Sequence, residues 1–163
     1  MRIFLDANVL FSAAKSAGAI RRLLHDLHAE GHVLVADEYV ATEARRNVSA
    51  KAGGDAVHYL AALLARIEVS PVHYPASPQA LLLWLPEKDR PVLMASMVLK
   101  CNALVTGDRT HLGSGDGKTF EGVMVFSPAQ LSEEIWPMPP QGRAVKEMDR
   151  GIAATRAVQA NRK

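Results

Sequence analysis

The chain reads as an α/β sandwich built on a parallel sheet, and three features of the sequence predict it. Short β-rich runs alternate with stretches of helical periodicity. Two of the runs, ALVTGD and GVMVF, read as strands of the kind buried on both faces of a parallel sheet. No internal repeat divides the chain, so the alternation describes one sheet with right-handed crossovers.

Taken in order, residues 2–5 form the first strand, where Ile3, Phe4 and Leu5 run directly into Asp6. Asp6 itself reads as a turn, a helix cap or one arm of a metal site. Ile20, Leu23, Leu24 and Leu27 recur at helical spacing, and that helix ends near Gly31. HVLVAD is the second strand, and Tyr39 to Val48 forms a helix opened by Asp37 as its cap. After the Gly53-Gly54 break, Val57, Leu60, Leu64 and Ile67 mark another amphipathic helix. IEVSPV is a weak strand interrupted by proline, which suits a sheet edge. PVLMASMVLKC is apolar nearly all round and predicts a buried helix leading into ALVTGD. After GVMVF, Ser127, Pro128 and Gln130 supply the cap, the first-turn proline and the capping-box partner of a last short helix. The alternation stops at PMPPQG. Residues 1–136 are therefore expected to be the folded domain, and 137–163 a Pro-rich linker with a basic, Ala-rich tail that exposes Arg150, Arg156, Arg162 and Lys163.

Composition narrows the class. A chain of 163 residues suffices for one domain with its own core. The single cysteine, Cys101, excludes an internal disulfide framework and fits a reducing compartment. Set among Leu99, Ala103 and Leu104, it reads as buried filler rather than a nucleophile. No signal-peptide order and no apolar run of bilayer-spanning length is present, so a cytoplasmic protein without a membrane partner is expected. The formal charge of +2 neither demands nor excludes nucleic acid.

The informative residues are acids. In an open parallel sheet the carboxyl ends of strands form the functional edge, above all where strand order reverses. Asp6 and Asp108 end two strands, and their carboxylates converge if those strands are neighbours. Glu43 lies on the helix after the second strand, and Asp89 precedes the buried helix. Each has a plainer reading: turn residues for Asp6 and Asp108, a cap before Pro91 for Asp89, a solvated helix position for Glu43, and a β-former for Thr106.

Taken together, FLDANVL, VADEYVATEARRN, EKDRPVLMAS, ALVTGDRTHL and GVMVFSPAQL, spread in this order over residues 3–131, resemble the PIN-domain family of metal-dependent ribonucleases, which includes the VapC-like toxins of bacterial toxin–antitoxin pairs. The resemblance implies a three-layer sandwich with strand order 3-2-1-4-5 and helices on both faces. It implies that Asp6, Glu43, Asp89 and Asp108 form a catalytic acidic quartet holding Mg²⁺ or Mn²⁺. It further implies cleavage of RNA to 5′-phosphate and 3′-hydroxyl ends, a homodimer, and a cognate antitoxin as partner.

The chemistry fits such a quartet. Clustered carboxylates repel one another unless cations neutralise them, and hard oxygen ligands suit Mg²⁺ or Mn²⁺. Metal-assisted hydrolysis needs no protein nucleophile, and the six histidines show no zinc-ligand spacing. Asn8 and Thr106 are expected to hold the carboxylates by hydrogen bonds. Arg45, Arg46, Arg90 and Arg109, each beside an acid, either contact an RNA backbone or pair with those acids and coat the surface. An unpaired or looped RNA strand enters a narrow site best. Tyr39, Trp84 and Trp136 either stack bases or pack in the core or at an interface.

Two rival readings compete. A phosphatase of the haloacid dehalogenase type needs a second aspartate two residues after the first, where this chain has Asn8. Its later motif wants an acid where Leu112 stands. A catalytically silent module of the same fold would bind RNA or a protein without cutting, and metal-titrated cleavage separates it from a nuclease.

Overall fold

Strand β1 (Arg2–Leu5) leaves Ile3, Phe4 and Leu5 without solvent contact, as expected of a strand with neighbours on both sides and helices on both faces. In the computed structural model, which describes residues 1–73, 87, 90–107 and 119–137, the chain continues through α1 (Ala7–Lys15), α2 (Ala19–Ala29), β2 (Val33–Asp37), α3 (Glu38–Lys51), α4 (Gly54–Leu64) and β3 (Glu68–Ser70). It then runs through α5 (Arg90–Val98), β4 (Ala103–Val105), β5 (Thr119–Phe120), β6 (Val123–Phe126) and α6 (Pro128–Ile135).

The sheet order is β3-β2-β1-β4-β6-β5. The five expected strands keep the expected order, with GVMVF as β6 beside β4, and all four of their pairings are parallel. β5 is an addition: it pairs antiparallel with β6 across the two-residue turn Glu121-Gly122, where both φ values are positive (46° and 88°). That is the turn whose twist suits a tight hairpin. Two residues are too few to show a strand period, which is why the pattern does not reveal β5. The Pro-interrupted run is the short edge strand β3, as read.

Strand order reverses at β1. From β1 the chain steps to β2 and β3 on one side, then crosses to β4 and β6 on the other. Right-handed crossovers therefore set α1–α4 on one face and α5 on the opposite one. The packing agrees: α1 contacts α2, α3 and α4, while α5 packs on β4.

Local chemistry explains the element ends. Asp37 caps α3 by accepting from the Val40 N–H at 2.8 Å. Ser127 and Gln130 form a reciprocal capping box on α6: the Gln130 Oε1 accepts from the Ser127 N–H at 2.8 Å, and the Ser127 Oγ from the Gln130 N–H at 3.3 Å. α2 closes on Gly31 at φ +80°, with His32 N–H on the Leu27 carbonyl and Gly31 N–H on the His28 carbonyl. α5 closes the same way on Lys100 at φ +53°, with Cys101 N–H on the Ser96 carbonyl and Lys100 N–H on the Met97 carbonyl. The sequence pattern does not reveal α1, whose N-cap is Asp6.

At the edge, the Arg2 guanidinium grips the Glu68 carboxylate in two-pronged fashion at 2.8 and 2.9 Å, tying β1 to β3 past β2. The Arg2 hydrogen bonds hold the Glu68 carboxyl below the usual carboxylate range. Both side chains stay well exposed, so the pair orients the edge more than it stabilises the fold. Cys101 is buried, and burial pushes its thiol up to about 11, consistent with inert filler.

The chain divides into two units, Met1–Leu131 and Ser132–Lys163. The first holds the sheet; of the second, only residues 132–137 are described. Among the described residues no helix is long and apolar enough to cross a membrane.

A lysine at φ +53° pays a steric cost that glycine avoids. Lys100→Gly is expected to raise stability by about 1 kcal/mol, read by urea denaturation. An unchanged or lower midpoint would show that this turn carries no such strain.

Candidate functional site

β1 delivers Asp6 to the carboxyl edge of the sheet, at the strand where order reverses. Its carboxylate is nearly buried, at 7% exposure. A buried carboxylate must be satisfied, and this one takes donors from two distant segments. Oδ1 accepts from the Ala7 N–H at 2.6 Å, the start of α1. Oδ2 accepts from the Asn8 amide at 2.7 Å and from the Thr106 hydroxyl at 2.6 Å.

Asn8 completes the closure. Its amide nitrogen also reaches the Thr106 Oγ1 at 3.2 Å, and its Oδ1 accepts from the Gly107 N–H at 2.8 Å. The end of β1 is thus laced to the segment leaving β4, backed by the Asp6 N–H on the Val105 carbonyl at 3.0 Å. Gly107 suits this approach: a Cβ there would lie 3.3 Å from the Asn8 Oδ1. Beside the clamp opens a cleft of about 360 Å³ lined by Asn8, Val9, Ser12, Ile20, Gly107 and Pro128. Asn8 and Thr106 therefore both donate to the Asp6 carboxylate.

Glu43 sits on α3, partly buried. With Glu38, Tyr39, Thr42 and Arg46 it lines a second cleft of about 390 Å³. Arg46 lines that cleft, while Arg45, one position earlier, is exposed elsewhere on the helix. Arg90 begins α5 and is partly buried. Tyr39 is not core: it remains 44% exposed. Asp89, Asp108, Arg109 and Trp84 lie outside the described residues.

A further acid joins the edge. Phe4 pairs with Val35 in the parallel β1–β2 register, so continuing that register brings Asp37, at the end of β2, level with Asp6. Asp37 is 1% exposed, and burial pushes its carboxyl above the usual range despite the Val40 N–H. The sequence marks Asp37 only as a cap. The available signal is that, like Asp6, it directly follows a run of buried strand residues.

The donor types suit a hard divalent cation: carboxylate oxygens at a strand edge, that of Asp6 held in place by neighbouring hydrogen bonds. Among the described residues alone, no group of three or more His, Cys, Asp or Glu is arranged to hold a metal ion.

Residues 2–110 match the family model described as PIN domain. No curated protein sequence matches the chain. Among solved structures, the chain is similar to VapBC2 from Rickettsia felis bound to a DNA fragment from their promoter, with TM-score 0.59 and 15% identity, covering 78% of this chain and 98% of that one. It is also similar to VapC20 from Mycobacterium tuberculosis, a sarcin–ricin loop cleaving toxin, with TM-score 0.49 and 15% identity, covering 73% and 97%. At such identity the first likeness establishes the fold.

Thr106→Val keeps shape but removes a donor to a buried carboxylate, and is expected to cost about 1.5–3 kcal/mol in urea denaturation. A loss below a few tenths would mean that the clamp is not under tension of burial. For Asp37, a folded pKa above the unfolded value contributes stability below the unfolded pKa that is lost as pH rises through the folded one. Asp37→Asn keeps the cap without the titration. Its stability relative to wild type should therefore rise between about pH 4 and pH 7; a flat or falling difference would contradict the effect of burial.

Proposed function

This chain belongs to the PIN-domain family, and on that footing we propose that it is a divalent-metal-dependent endoribonuclease, the toxin of a toxin–antitoxin pair. The observation that carries this reading is the clamped carboxylate of Asp6 at the reversal point of the sheet. Such an arrangement costs conformational freedom and buries polar atoms, and it is what a ligand to a hard cation needs from its surroundings.

In this reading Asp6, Asp89 and Asp108 hold Mg²⁺ or Mn²⁺, and Glu43 acts as a further ligand or orients water. When bound, the cation supplies Lewis acidity toward a phosphodiester and an activated water. The protein's own part is positional. Asn8 and Thr106 fix the rotamer of Asp6, so that its free geometry is not sampled at the moment of reaction. Arg46 offers a cation to the RNA backbone from the Glu43 cleft, with Arg45, Arg90 and Arg109 as further phosphate contacts. The products carry 5′-phosphate and 3′-hydroxyl ends. The likeness to a VapBC2 assembly supports a cognate antitoxin as partner; a cytoplasmic homodimer completes the proposal.

The test is cleavage of end-labelled RNA by the purified full chain during metal titration. Cutting is expected with Mg²⁺ or Mn²⁺ and not in excess EDTA. Asp6→Asn should lower the rate at least about 100-fold with unchanged circular dichroism. Metal-independent cutting, or wild-type rates in Asp6→Asn, would refute the assignment. RNA bound but never cut would identify the silent binding module instead.

A further inference from the structure

The cleft beside the clamp is lined from three directions, and each lining is fixed by its own contacts. Asn8, Val9 and Ser12 come from α1, whose first turn carries the clamp. Ile20 comes from the first turn of α2. Its neighbour Arg21 pins that turn to the end of α1: Nε donates to the Ala13 carbonyl at 2.9 Å and Nη2 to the Ala14 carbonyl at 3.0 Å. The same guanidinium lies 3.6 Å from the centre of the Tyr59 ring on α4. Gly107 and Pro128 complete the lining, Pro128 in the first turn of the helix that the Ser127–Gln130 box caps.

The chemistry of this lining is specific. No Asp, Glu, Lys or Arg stands among the described residues that form it, so it offers a phosphate no cation. Val9, Ile20 and Pro128 offer apolar surface instead, and the broad apolar surfaces of an RNA strand are the faces of its bases. The Asn8 side chain is already engaged: its amide nitrogen donates to Asp6 and Thr106, and its Oδ1 accepts from the Gly107 N–H. Ser12 donates its hydroxyl proton to the Asn8 carbonyl at 2.8 Å, one helical turn back. The lone pairs left on Ser12 accept from an amino group and repel a carbonyl oxygen. Asn8 belongs both to this cleft and to the hydrogen bonds of the Asp6 carboxylate, so the cleft adjoins Asp6. Its volume of about 360 Å³ is that of a small-molecule site.

We infer that this cleft is the subsite for one unpaired base of the RNA, packed on Val9, Ile20 and Pro128 and read by Ser12. The base belongs to a nucleotide beside the bond that is cut, because Asn8 joins the cleft to the Asp6 carboxylate. Adenine and cytosine present an amino group where guanine and uracil present a carbonyl oxygen. The acceptor on Ser12 therefore favours adenine or cytosine. Because Arg21, the α6 cap and the Asp6 clamp hold the linings before any ligand arrives, little ordering is needed on binding. The inference rests on the ribonuclease reading of Asp6, yet its own readout is binding.

The experiment measures fluorescence anisotropy of short, end-labelled oligoadenylate, oligocytidylate and oligouridylate with the full chain, Ca²⁺ replacing Mg²⁺. Cleavage of a mixed-sequence strand with Mg²⁺ is assayed in parallel. The wild type should bind oligoadenylate and oligocytidylate more tightly than oligouridylate by roughly 2- to 10-fold, the range that one hydrogen bond supplies. Ser12→Ala, a change at an exposed position, should erase that preference with its melting temperature near wild type. Ile20→Ala should weaken binding of every strand by roughly 10-fold or more, and Ile20→Val should restore most of the loss. No preference in the wild type, the same preference in Ser12→Ala, or wild-type affinity in Ile20→Ala overturns the subsite while metal-dependent cleavage keeps the nuclease reading; a cleft used by a protein partner would give that result. Binding that depends on Ile20 and Ser12 without any cleavage overturns the nuclease reading and keeps the subsite. No binding by the wild type overturns the subsite, and the cleavage assay then decides the nuclease reading by itself.

Discussion

The carboxylate of Asp6 cannot lie almost out of water unless donors surround it, and the molecule meets that demand with groups remote from one another in sequence. Ala7 supplies a backbone N–H, Asn8 its amide and Thr106 its hydroxyl. Because Asn8 also accepts from Gly107, 99 positions away, the network closes on itself. Closed polar networks in a low-dielectric setting are rigid, since each lost bond leaves a partner unsatisfied. The same bonds therefore start α1, join the ends of β1 and β4, and fix one carboxylate in one orientation.

The sheet decides where that orientation matters. β1 lies between β2 and β4, and the chain winds outward from it in both directions. A cleft at the carboxyl edge is the geometric consequence, and side chains leaving several strands and helices can meet there without a special loop. Asp37, level with Asp6 when the register is continued and wholly buried, is a second acid at the end of a neighbouring strand. Burial raises the pKa of its carboxyl above the ordinary value.

Two surfaces of the described residues differ in how firmly they are held. The clamp at β1 and β4 holds the Asp6 carboxylate in place and has little freedom to adapt. The side of α3 that carries Tyr39, Thr42, Glu43 and Arg46 is more exposed and lines the second cleft. Such a division leaves a helix surface free to vary while the residues of the clamp stay where packing puts them. It also accounts for the unequal fates of two adjacent arginines: a helix turns by about 100° per residue, so Arg46 shares the side of Glu43 and Arg45 does not.

What the amino-acid order determined unaided was local. The strand at residues 2–5, the stop of α2 at Gly31, the Asp37 cap and the Ser127–Gln130 box each depend on residues within one or two turns of one another. Their hydrogen bonds follow from short-range geometry whatever the rest of the chain does. The five quoted motifs likewise carried the family and the strand order. Other features were not local. α1 gives no clear period because its residues are apolar on more than one side, and β5 is two residues long. That Asn8 meets Gly107, that Asp37 is level with Asp6, and that Tyr39 faces a cleft rather than the core depend on which strands pair and how α3 is rolled onto them. Those facts belong to tertiary structure, because pairing and roll are set by the burial of whole faces at once and not by any single stretch of chain.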